Sequence, residues 1–489
     1  MAKVPIKCKA TCRRVPDRFT ELGAFDAERF LHLWAQTLLS ADAPSHWHVV
    51  AWADHPPKAN ELHTTPLEHI VLEGVDAQQQ GAFKVALREA LAAACWGLLP
   101  GLHRLRLRVA SHPLVQTHLT LGIGPVATRE AERGFNIEVL DQGTSVAAGA
   151  SGLPVGLVAP HASPDDSLIS RLSRAGVRAM RDTMQQLLEP GIDWGDSGVQ
   201  ERRLPGKTRK GGAPQHWETD WPDEGHAWTC RTTDPQLPAN TLWHARGAWV
   251  RPAALVRALL QHPRITCRTQ ANVTQLQRTA NGWQALHAQT VLSETDHVIV
   301  ATGWATVPLL AASALEGPAL PMRPVRGQLS WGLMSAWPTP QLAWPSSPVN
   351  GNGCFIHSIT TDEGPAWFAG STFDRERDTA DVLASDHAEN LARVQALLPE
   401  HADTLTMPFV QDAVRGWAAV RCSVPDRLPM VGPLPHAPAG LWLCSAMGSR
   451  GLSLSVLCAE LLAAQWCGEP LPLEPQLAKA ISSQRFIRT

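Results

Sequence analysis

The stretch LGIGPVATREAERGFNIEVLD (residues 121–141) decides the fold. It places Gly122, Gly124 and Ala127 in the spacing G-x-G-x-x-A before a short helical pattern, and it ends on Asp141 after an apolar strand pattern. A glycine-rich turn of this kind lets the backbone approach a pyrophosphate at a helix N-terminus, and an acidic residue about 20 positions later binds a ribose. The stretch therefore predicts the opening βαβ unit of a nucleotide-binding fold.

Pro125 is an unusual residue inside this motif. It falls near the start of the predicted helix, where its missing N–H costs little but removes one possible phosphate donor. The motif is weak when it stands alone, because a hairpin strand followed by an ordinary tight turn has the same spacing. That structural alternative stays open at this point.

A second glycine turn lies near the C-terminal end of the chain, in the stretch AMGSRGLSLS. Gly448 and Gly451 precede a long apolar helical pattern there. A helix N-terminus attracts electron-rich groups, and a reduced flavin ring, which carries negative charge, is a suitable partner. Two such turns at opposite ends of one chain favour FAD over NAD as the cofactor.

Composition sets the broad class of protein. A chain of 489 residues with 44% hydrophobic and 18% charged residues predicts a soluble protein of two or three domains. No apolar run of 18 or more residues occurs, and no apolar segment follows the basic N-terminus, so we expect neither a membrane span nor a secretory signal. Ten cysteines in such a chain suggest reduced thiols and a cytoplasmic location. Cys8 and Cys12 lack a second pair at zinc-binding spacing, so we expect no metal.

The net charge of the chain does not indicate a partner, whereas the local distribution of basic residues does. The formal net charge of −2 neither favours nor excludes a nucleic acid partner. Two basic segments, KVPIKCKATCRR (3–14) and ERRLPGKTRKGG (201–212), can contact RNA, although solvated loops have the same composition.

Elements of the nucleotide-binding fold recur at 118–160, 267–304 and 440–466, with strand-rich segments between them. This interleaving predicts an α/β fold class: a discontinuous Rossmann-like FAD-binding domain with an inserted mixed α+β substrate domain. The expected cofactor-domain parts are about 121–195, 250–305 and 415–489, and the substrate-domain parts are about 196–249 and 306–414.

The first 120 residues give a separate mixed α/β pattern. It predicts helices over 29–39 and 82–99, a strand over 46–53, and a hairpin formed by 103–110 and 117–124.

Residues 121–489 resemble the FAD-dependent oxidoreductase half of the bacterial bifunctional proteins for 5-methylaminomethyl-2-thiouridine biosynthesis in tRNA. That half belongs to the D-amino-acid-oxidase and glycine-oxidase superfamily. The matching stretches cover most of the region: AAGASGLPVGLVAPHASPDDSLISRLSRAGVR (147–178), AWVRPAALVRALL (248–260), PVRGQLSWG (324–332), VRCSVPDRLPMVGPLP (420–435) and LCSAMGSRGLSLSVLCAELLAA (443–464).

Residues 1–120 are similar to part of the methyltransferase half of the same family, in FTELGAFDAERFLHLW (19–34) and WGLLPGLHRLRL (96–107). That half implies binding of S-adenosylmethionine. Here Phe25 and Ala27 occupy glycine positions of its cofactor loop, and Ala53 occupies the position of its ribose-binding acid. We therefore expect a truncated α/β methyltransferase-like segment that does not support methyl transfer.

The resemblance implies a set of FAD-binding residues. They comprise pyrophosphate-binding positions, a ribose-binding acid, an inner loop, a backbone contact to adenine and two flavin-side turns: Gly122, Gly124, Ala127, Asp141, Ser151, Gly152, Val273, Gly303, Gly448 and Gly451.

The reaction implied by the resemblance removes the carboxymethyl group from 5-carboxymethylaminomethyluridine at the wobble position of tRNA. The glycine-like arm is oxidised to an imine, which hydrolyses to glyoxylate and a 5-aminomethyl group. Binding of the substrate carboxylate calls for an arginine. Arg421 is the implied residue and Arg450 the alternative, whereas His161 faces the flavin or plays a structural role. A glycine or amine oxidase that does not act on RNA, and a non-catalytic remnant, stay open as alternatives.

Overall fold

The computed structural model describes residues 124–163, 165–202, 229–231, 241–315, 320–337, 342–375, 377–467 and 471–487, together with the backbone of six strands before residue 122. Gly122, the helices predicted over 29–39 and 82–99, and residues 203–212 of the second basic segment lie outside this description.

We number the elements in chain order. The strands are β1 Pro5–Cys12, β2 Val15–Ala24, β3 His46–Ala51, β4 His69–Leu72, β5 Arg106–Arg108, β6 Thr117–Leu121, β7 Asn136–Leu140, β8 Gly156–Val158, β9 Trp194–Gly195, β10 Val199–Glu201, β11 Thr229–Arg231, β12 Leu242–His244, β13 Ala248–Val250, β14 Ile265–Arg268, β15 Gln275–Thr279, β16 Gly282–His287, β17 Thr290–Thr295, β18 His297–Val300, β19 Arg323–Leu333, β20 Val349–Gly351, β21 Gly353–Thr361, β22 Gly364–Gly370, β23 Arg415–Ser423, β24 Met430–Pro433 and β25 Leu441–Ser445. The α-helices are α1 Gly124–Glu132, α2 Leu168–Leu187, α3 Pro252–Leu260, α4 Thr306–Ala312, α5 Ala384–Leu397, α6 Ala402–Val410, α7 Gly451–Cys467 and α8 Pro475–Ala480.

A six-stranded sheet with the order β14-β7-β6-β18-β25-β24 forms the centre of the molecule. The first five strands in this order are parallel, and β24 closes the edge antiparallel to β25. Numbered by their appearance along the chain, β6, β7, β14 and β18 lie side by side in the spatial order 3-2-1-4, which is the Rossmann-like arrangement. The predicted cofactor fold is therefore confirmed, and its strands come from segments more than 300 residues apart in sequence, since β6 begins at Thr117 and β25 ends at Ser445.

The two faces of this sheet bury different cores because side chains alternate along a strand. On β18, Val298 and Val300 contact a cluster that includes Trp283 of the β15-β16-β17 sheet. Ile299 points to the other face and packs with Leu457 and neighbouring residues of α7. Each fully buried aliphatic side chain contributes about 1.5–3 kcal/mol to this packing.

Helix α7 is apolar on nearly every side because it is enclosed by the sheet and by α2. Ten of its residues are buried, from Ser453 to Ala464. Helix α2 approaches it closely at Gly176, where an added Cβ would lie 2.0 Å from the carbonyl oxygen of Ser453. This contact fixes the N-terminal end of α7, which begins at Gly451.

An eight-stranded sheet, with the order β11-β12-β10-β20-β21-β22-β19-β23, forms the second layer. Strands β19 and β23 pair antiparallel from Arg323↔Ser423 to Trp331↔Arg415. Helix α5 packs on this sheet, and the cluster between them contains Trp367, Phe355 and Val394. The predicted mixed α+β part of the fold is thus built largely on this sheet.

The N-terminal strands form a five-stranded sheet with the order β2-β1-β3-β4-β5. Strand β1 runs antiparallel to both of its neighbours, and β3, β4 and β5 are parallel. The predicted hairpin over 103–124 is wrong, because β5 belongs to this sheet while β6 pairs with β7 and β18 in the central sheet. Parallel partners satisfy the backbone of β6 there, so 117–121 serves as the first strand of the cofactor fold.

Among the residues that the structure describes, no helix combines the length and the apolar character needed to cross a membrane.

Candidate cofactor and substrate site

A cavity of about 710 Å³ lies where the parallel strands of the central sheet end. In Rossmann-like folds this edge, at the point where the strand order reverses, is where ligands bind. The wall is made by the residues that follow β7 and β18, by the 147–151 loop, by one side of α3 and by the start of α7. Strand β23 of the second sheet closes the remaining side with residues Ala418–Cys422.

Asp141 lies at this wall, directly after the last residue of β7. Its Oδ1 accepts a hydrogen bond of 2.7 Å from the backbone N–H of Gly143, which turns the chain away from the strand. This strand end is where the fold class holds a ribose hydroxyl. The position of Asp141 therefore suits the predicted role.

The first glycine motif opens helix α1, as predicted. Gly124 is the first helical residue and Pro125 lines the cavity, while Gly122 lies outside the described residues. Ala127 is fully buried and packs with Ile137 and Val139 of β7. Its side chain therefore holds the helix against the sheet, which is the role of the third motif position, and does not form the cavity wall.

The other predicted cofactor positions converge on the same cavity. Gly303 and Gly448 line it with φ of +59° and +57°, a conformation that favours glycine. An added Cβ at Gly303 would meet nothing within 4 Å, so the backbone there is open to the cavity. Ser151, Val273 and Gly451 line the wall as well.

Gly152 lies next to the wall. An added Cβ at this position would lie 2.7 Å from the carbonyl oxygen of Ala147, so the tight 147–152 turn itself requires glycine.

These residues fit an extended dinucleotide. The N-terminal ends of α1 and α7 both face the cavity, and helix N-termini favour anionic groups. Asp141 stands at the ribose position, and open glycine backbone lines the wall between the two helices. The α1 side of the cavity therefore suits a diphosphate and ribose, and the α7 side suits the flavin ring, as predicted from the sequence.

Arg421 is the charged side chain that β23 brings to this cavity. Its Nη2 donates a hydrogen bond of 3.0 Å to the carbonyl oxygen of Thr372, and its guanidinium lies 4.6 Å from the ring centroid of Phe373. Among the described residues no carboxylate pairs with it. Burial lowers the pKa of Arg421 to about 10, so the group is a cation at neutral pH. A half-buried cation that has no carboxylate partner is suited to bind an anion.

Arg450 and His161 do not lie among the residues that form the cavity wall. The backbone N–H of His161 donates to Ser173 Oγ at 2.8 Å, and its Nδ1 lies 3.0 Å from Ser170 Oγ, so the ring is held against α2. This contact suits the structural role that the sequence left open. Arg450 lies in the 3-10 turn before α7, where burial and the nearby charge of Arg427 lower its pKa.

Sequence reasoning missed part of the cavity wall. Helix α3 contributes Pro252, Leu255 and Leu259, and β23 contributes Ala418 and Ala419. Small or apolar residues of this kind carry no chemical signature in a sequence. Trp304 could have been predicted from the sequence, because it follows the predicted Gly303 and residues that come after a parallel strand line the ligand-binding edge of the sheet.

A cavity at the switch point of a Rossmann-like sheet, closed by a second, largely antiparallel sheet that carries an arginine into it, is typical of dinucleotide-dependent oxidoreductases. The chain belongs to the family of FAD dependent oxidoreductases (DAO), whose model matches residues 123–465. FAD is therefore the cofactor, and the predicted oxidoreductase class is confirmed.

The sequence is similar to bacterial tRNA 5-methylaminomethyl-2-thiouridine biosynthesis bifunctional proteins MnmC, so the resemblance seen in the sequence is confirmed. The protein of Paracidovorax citrulli is 45% identical over 406 residues, which cover 78% of this chain and 62% of that protein. The protein of Polaromonas sp. is 44% identical over 371 residues, which cover 73% of this chain and 57% of that protein. The chain thus spans about three fifths of the length of these curated relatives.

Solved structures confirm the fold. Glycine oxidase from Geobacillus kaustophilus matches with a TM-score of 0.54 at 19% identity, covering 71% of this chain and 94% of that chain. Iminodiacetate oxidase from Chelativorans sp. matches with a TM-score of 0.54 at 20% identity, covering 73% and 96%.

Proposed function

We propose that this chain removes the carboxymethyl group from 5-carboxymethylaminomethyl-(2-thio)uridine at the wobble position of tRNA, leaving 5-aminomethyl-(2-thio)uridine. The relatives named for tRNA 5-methylaminomethyl-2-thiouridine biosynthesis support tRNA as the substrate class. The family match over residues 123–465 supports an oxidation as the reaction. Action on tRNA implies a cytoplasmic enzyme.

Arg421 is the observation that carries this proposal. The substrate arm is a glycine whose nitrogen is bonded to the methylene group on the base, so its end is a carboxylate. Arg421 offers a cation at the cavity wall that contacts the carbonyl of Thr372 and the ring of Phe373, neither of which neutralises it. A carboxylate bound there restores the charge balance of a half-buried guanidinium.

The reaction balances with one acceptor and one water. FAD, when bound, supplies the two-electron acceptor. The substrate amine loses a hydride and a proton between its glycine Cα and nitrogen, and water adds to the resulting imine. The C–N bond then breaks, which releases glyoxylate and leaves the primary amine on the base. In this scheme the chain binds and orients the carboxylate through Arg421, and β23 and α3 form two sides of the cavity that holds the substrate arm.

The domain organisation is part of this proposal. We infer that 121–489 forms the oxidoreductase and that 1–120 is a truncated methyltransferase-like segment without methyl transfer. The replacements Phe25, Ala27 and Ala53 support the loss of that activity, because close backbone approach and a ribose carboxylate are what an S-adenosylmethionine site needs. Calorimetric titration with S-adenosylmethionine tests this inference, and clear binding would contradict it.

A glycine or amine oxidase that does not act on RNA is the second candidate. It is favoured by the fold shared with glycine oxidase and iminodiacetate oxidase, since the substrates in those names also carry a carboxylate next to an amine. Binding of a substrate carboxylate by Arg421 suits both candidate functions. The two candidates therefore differ only in the part of the substrate to which the glycine group is attached.

Two measurements test the proposal. The visible spectrum of the purified protein, before and after addition of FAD, is expected to show a bound flavin; a protein that takes up no FAD is the non-catalytic remnant. Oxidation of tRNA that bears the carboxymethylaminomethyl group is then followed by nucleoside mass spectrometry and by glyoxylate release. One glyoxylate per modified nucleoside is the expected result. Flavin reduction by free glycine but not by this tRNA would establish the second candidate instead.

A further inference from the structure

Three arginines surround Ser423, the last residue of β23. Arg323 is the register partner of Ser423 in the β19–β23 pair, and Arg427 follows Ser423 in the next turn. Gly448 opens the 3-10 turn that carries Arg450, and an added Cβ at Gly448 would lie 3.9 Å from Ser423 Cβ. Three chain segments thus place Arg323, Arg427 and Arg450 at one edge of the second sheet, around Ser423.

This cluster has no acidic counterpart among the residues that the structure describes. The nearest acid in sequence, Asp426, is bound by Arg485 through Nε at 2.7 Å and Nη2 at 2.9 Å. Other arginines of the same layer are paired as well, such as Arg415 with Glu363. Arg323 and Arg427 are exposed and Arg450 is half-buried. Burial and the charge of Arg427 lower the pKa of Arg450, as expected where cations gather without an anion.

The cluster lies at the rim of the cavity and outside it. Gly448, Ser449 and Gly451 line the cavity, and so does Arg421, two residues before Ser423. The side chains of the cluster do not belong to the wall. An anion bound by the cluster is therefore a neighbour of the molecule in the cavity and a different group from the carboxylate at Arg421.

A nucleotide inside a polynucleotide has this arrangement of charges. Its base enters a pocket after leaving the stack, and its backbone phosphates stay outside. Arginine binds phosphate oxygens with two parallel hydrogen bonds, which makes it the common residue at such contacts.

We propose that Arg323, Arg427 and Arg450 bind the phosphate backbone of the substrate RNA beside the nucleotide whose base enters the cavity. This inference rests on the proposed function, because it takes the cavity to be the site of the oxidised base. It adds the place where the chain recognises a polynucleotide rather than a free nucleoside or amino acid.

Equilibrium binding of a fluorescein-labelled RNA anticodon stem-loop, measured by anisotropy, tests the cluster without relying on turnover. The variants are the pair Arg427→Ala/Arg450→Ala and the charge-conserving pair Arg427→Lys/Arg450→Lys. Arg257→Ala/Arg278→Ala removes the same charge from two exposed arginines outside the cavity wall and serves as the matched control. Bound FAD and thermal melting report whether each variant is folded.

We expect the alanine pair to raise Kd for the stem-loop by about 10–100-fold, since hydrogen bonds to charged groups contribute on the order of 1.5–3 kcal/mol. The slope of log K against log salt falls by about 1 per lost phosphate contact. The lysine pair keeps the charge but loses the paired hydrogen bonds, so it loses less affinity than the alanine pair, and the control pair retains most of the affinity. Turnover of the free modified nucleoside, which lacks the flanking phosphates, stays unchanged in the control pair and changes far less than the RNA affinity does in the alanine pair.

Equal loss of affinity in the control pair, or unchanged RNA affinity in a folded alanine pair, would overturn the phosphate-binding cluster. If the alanine pair does not fold, an Arg323→Ala single variant takes its place, with a smaller loss of the same kind expected. Failure of the proposed function is a separate result: the wild-type protein then does not oxidise the modified tRNA, whatever the RNA affinities are.

Discussion

The Nη2 atom of Arg421 donates a hydrogen bond to the carbonyl oxygen of Thr372 at 3.0 Å. The backbone of Thr372 therefore holds the guanidinium of Arg421 at the cavity wall. Thr372 is itself fixed, because its Oγ1 accepts from the backbone N–H of Gln328 at 3.0 Å and donates to Asp386 Oδ2 at 3.3 Å. Asp386 in turn pairs with the fully buried Arg326. The guanidinium of Arg421 is therefore positioned before any substrate arrives, which lowers the entropic cost of binding a carboxylate.

Replacement of Arg421 by lysine tests this clamp. Lysine keeps the charge but loses the planar fork that binds a carboxylate through two hydrogen bonds. We expect Arg421→Lys to lower kcat/KM by about 10–100-fold, mainly through KM, since a charge-assisted hydrogen bond contributes on the order of 1.5–3 kcal/mol. Steady-state kinetics on the modified tRNA measure the effect.

Arg415→Ala is the matched control for this prediction. Arg415 lies on the same strand but is exposed and pairs with Glu363 at the surface, where ion pairs contribute about 0–1 kcal/mol. Its loss is expected to leave kcat/KM within about twofold, in keeping with that small contribution. Equal effects of the two substitutions would argue against a specific role for Arg421.

Gly327→Ala tests the position of the guanidinium without changing its charge. An added Cβ at Gly327 would lie 2.2 Å from Arg421 Nη2 and 2.8 Å from the carbonyl oxygen of Thr372. The arginine has to move, so we expect a rise in KM of about tenfold or more, in line with the cost of misplacing a binding group. Bound flavin, measured by absorbance, is expected to stay the same, because the glycine lies outside the predicted cofactor positions. A loss of flavin equal to the loss of activity would point to misfolding instead.

Asp141→Asn tests the assignment of the ribose position. The amide oxygen still accepts the hydrogen bond from Gly143, but the charge that attracts the ribose hydroxyls is gone. We expect Kd for FAD, from titration of the apoprotein by flavin fluorescence, to rise about tenfold or more. Asp296→Asn removes an exposed carboxylate that does not line the cavity and is expected to leave Kd unchanged.

The sequence predicted the cofactor fold well because its signals are local. The glycine turns before α1 and α7, the proline at the first position of α3 and the long apolar pattern of α7 each follow from a few neighbouring residues. The pairing of β6 was harder, since a strand pattern does not tell which partner the strand will find. The sequence predicted a local hairpin, whereas β6 lies between β7 and β18, whose positions are set by segments far along the chain.

Positions of charged side chains could be predicted only in part. The resemblance suggested both Arg421 and Arg450, and the fold separates them: one lies on the cavity wall and the other at its rim beside Arg427. Whether an arginine has an acidic partner depends on contacts such as Asp426 with Arg485, 59 residues apart, which no local pattern encodes. The second basic segment illustrates the same limit, since Arg202 is buried and bound to Glu400.

The pH dependence of carboxylate binding follows from the lowered pKa of Arg421, about 10 in the folded protein against an ordinary 12.5. The cation is fully present below that pH and is lost as pH rises through it. Methoxyacetate, a carboxylate without a titrating amine, is the suitable ligand. We expect its affinity, read from the flavin spectrum, to be constant from about pH 7 to 9 and to fall above about pH 10, by up to tenfold per unit. Affinity that stays constant through pH 11, with bound flavin and circular dichroism unchanged, would contradict this assignment of Arg421.

Gly176→Ala tests how the packing of α2 supports the flavin side of the cavity. The new methyl group would lie 2.0 Å from the carbonyl oxygen of Ser453, which is backbone and cannot rotate away. Overpacking of this kind costs about 1–3 kcal/mol, which corresponds to a fall in melting temperature of roughly 2–10 °C. Helix α7 has to shift at the end that lines the cavity, so the variant is also expected to bind FAD more weakly. Gln185→Ala changes an exposed residue of the same helix and controls for helix propensity, with stability expected to stay within about 0.5 kcal/mol. If Gly176→Ala were as stable and as rich in flavin as that control, the close contact between α2 and α7 would not be what fixes the N-terminal end of α7.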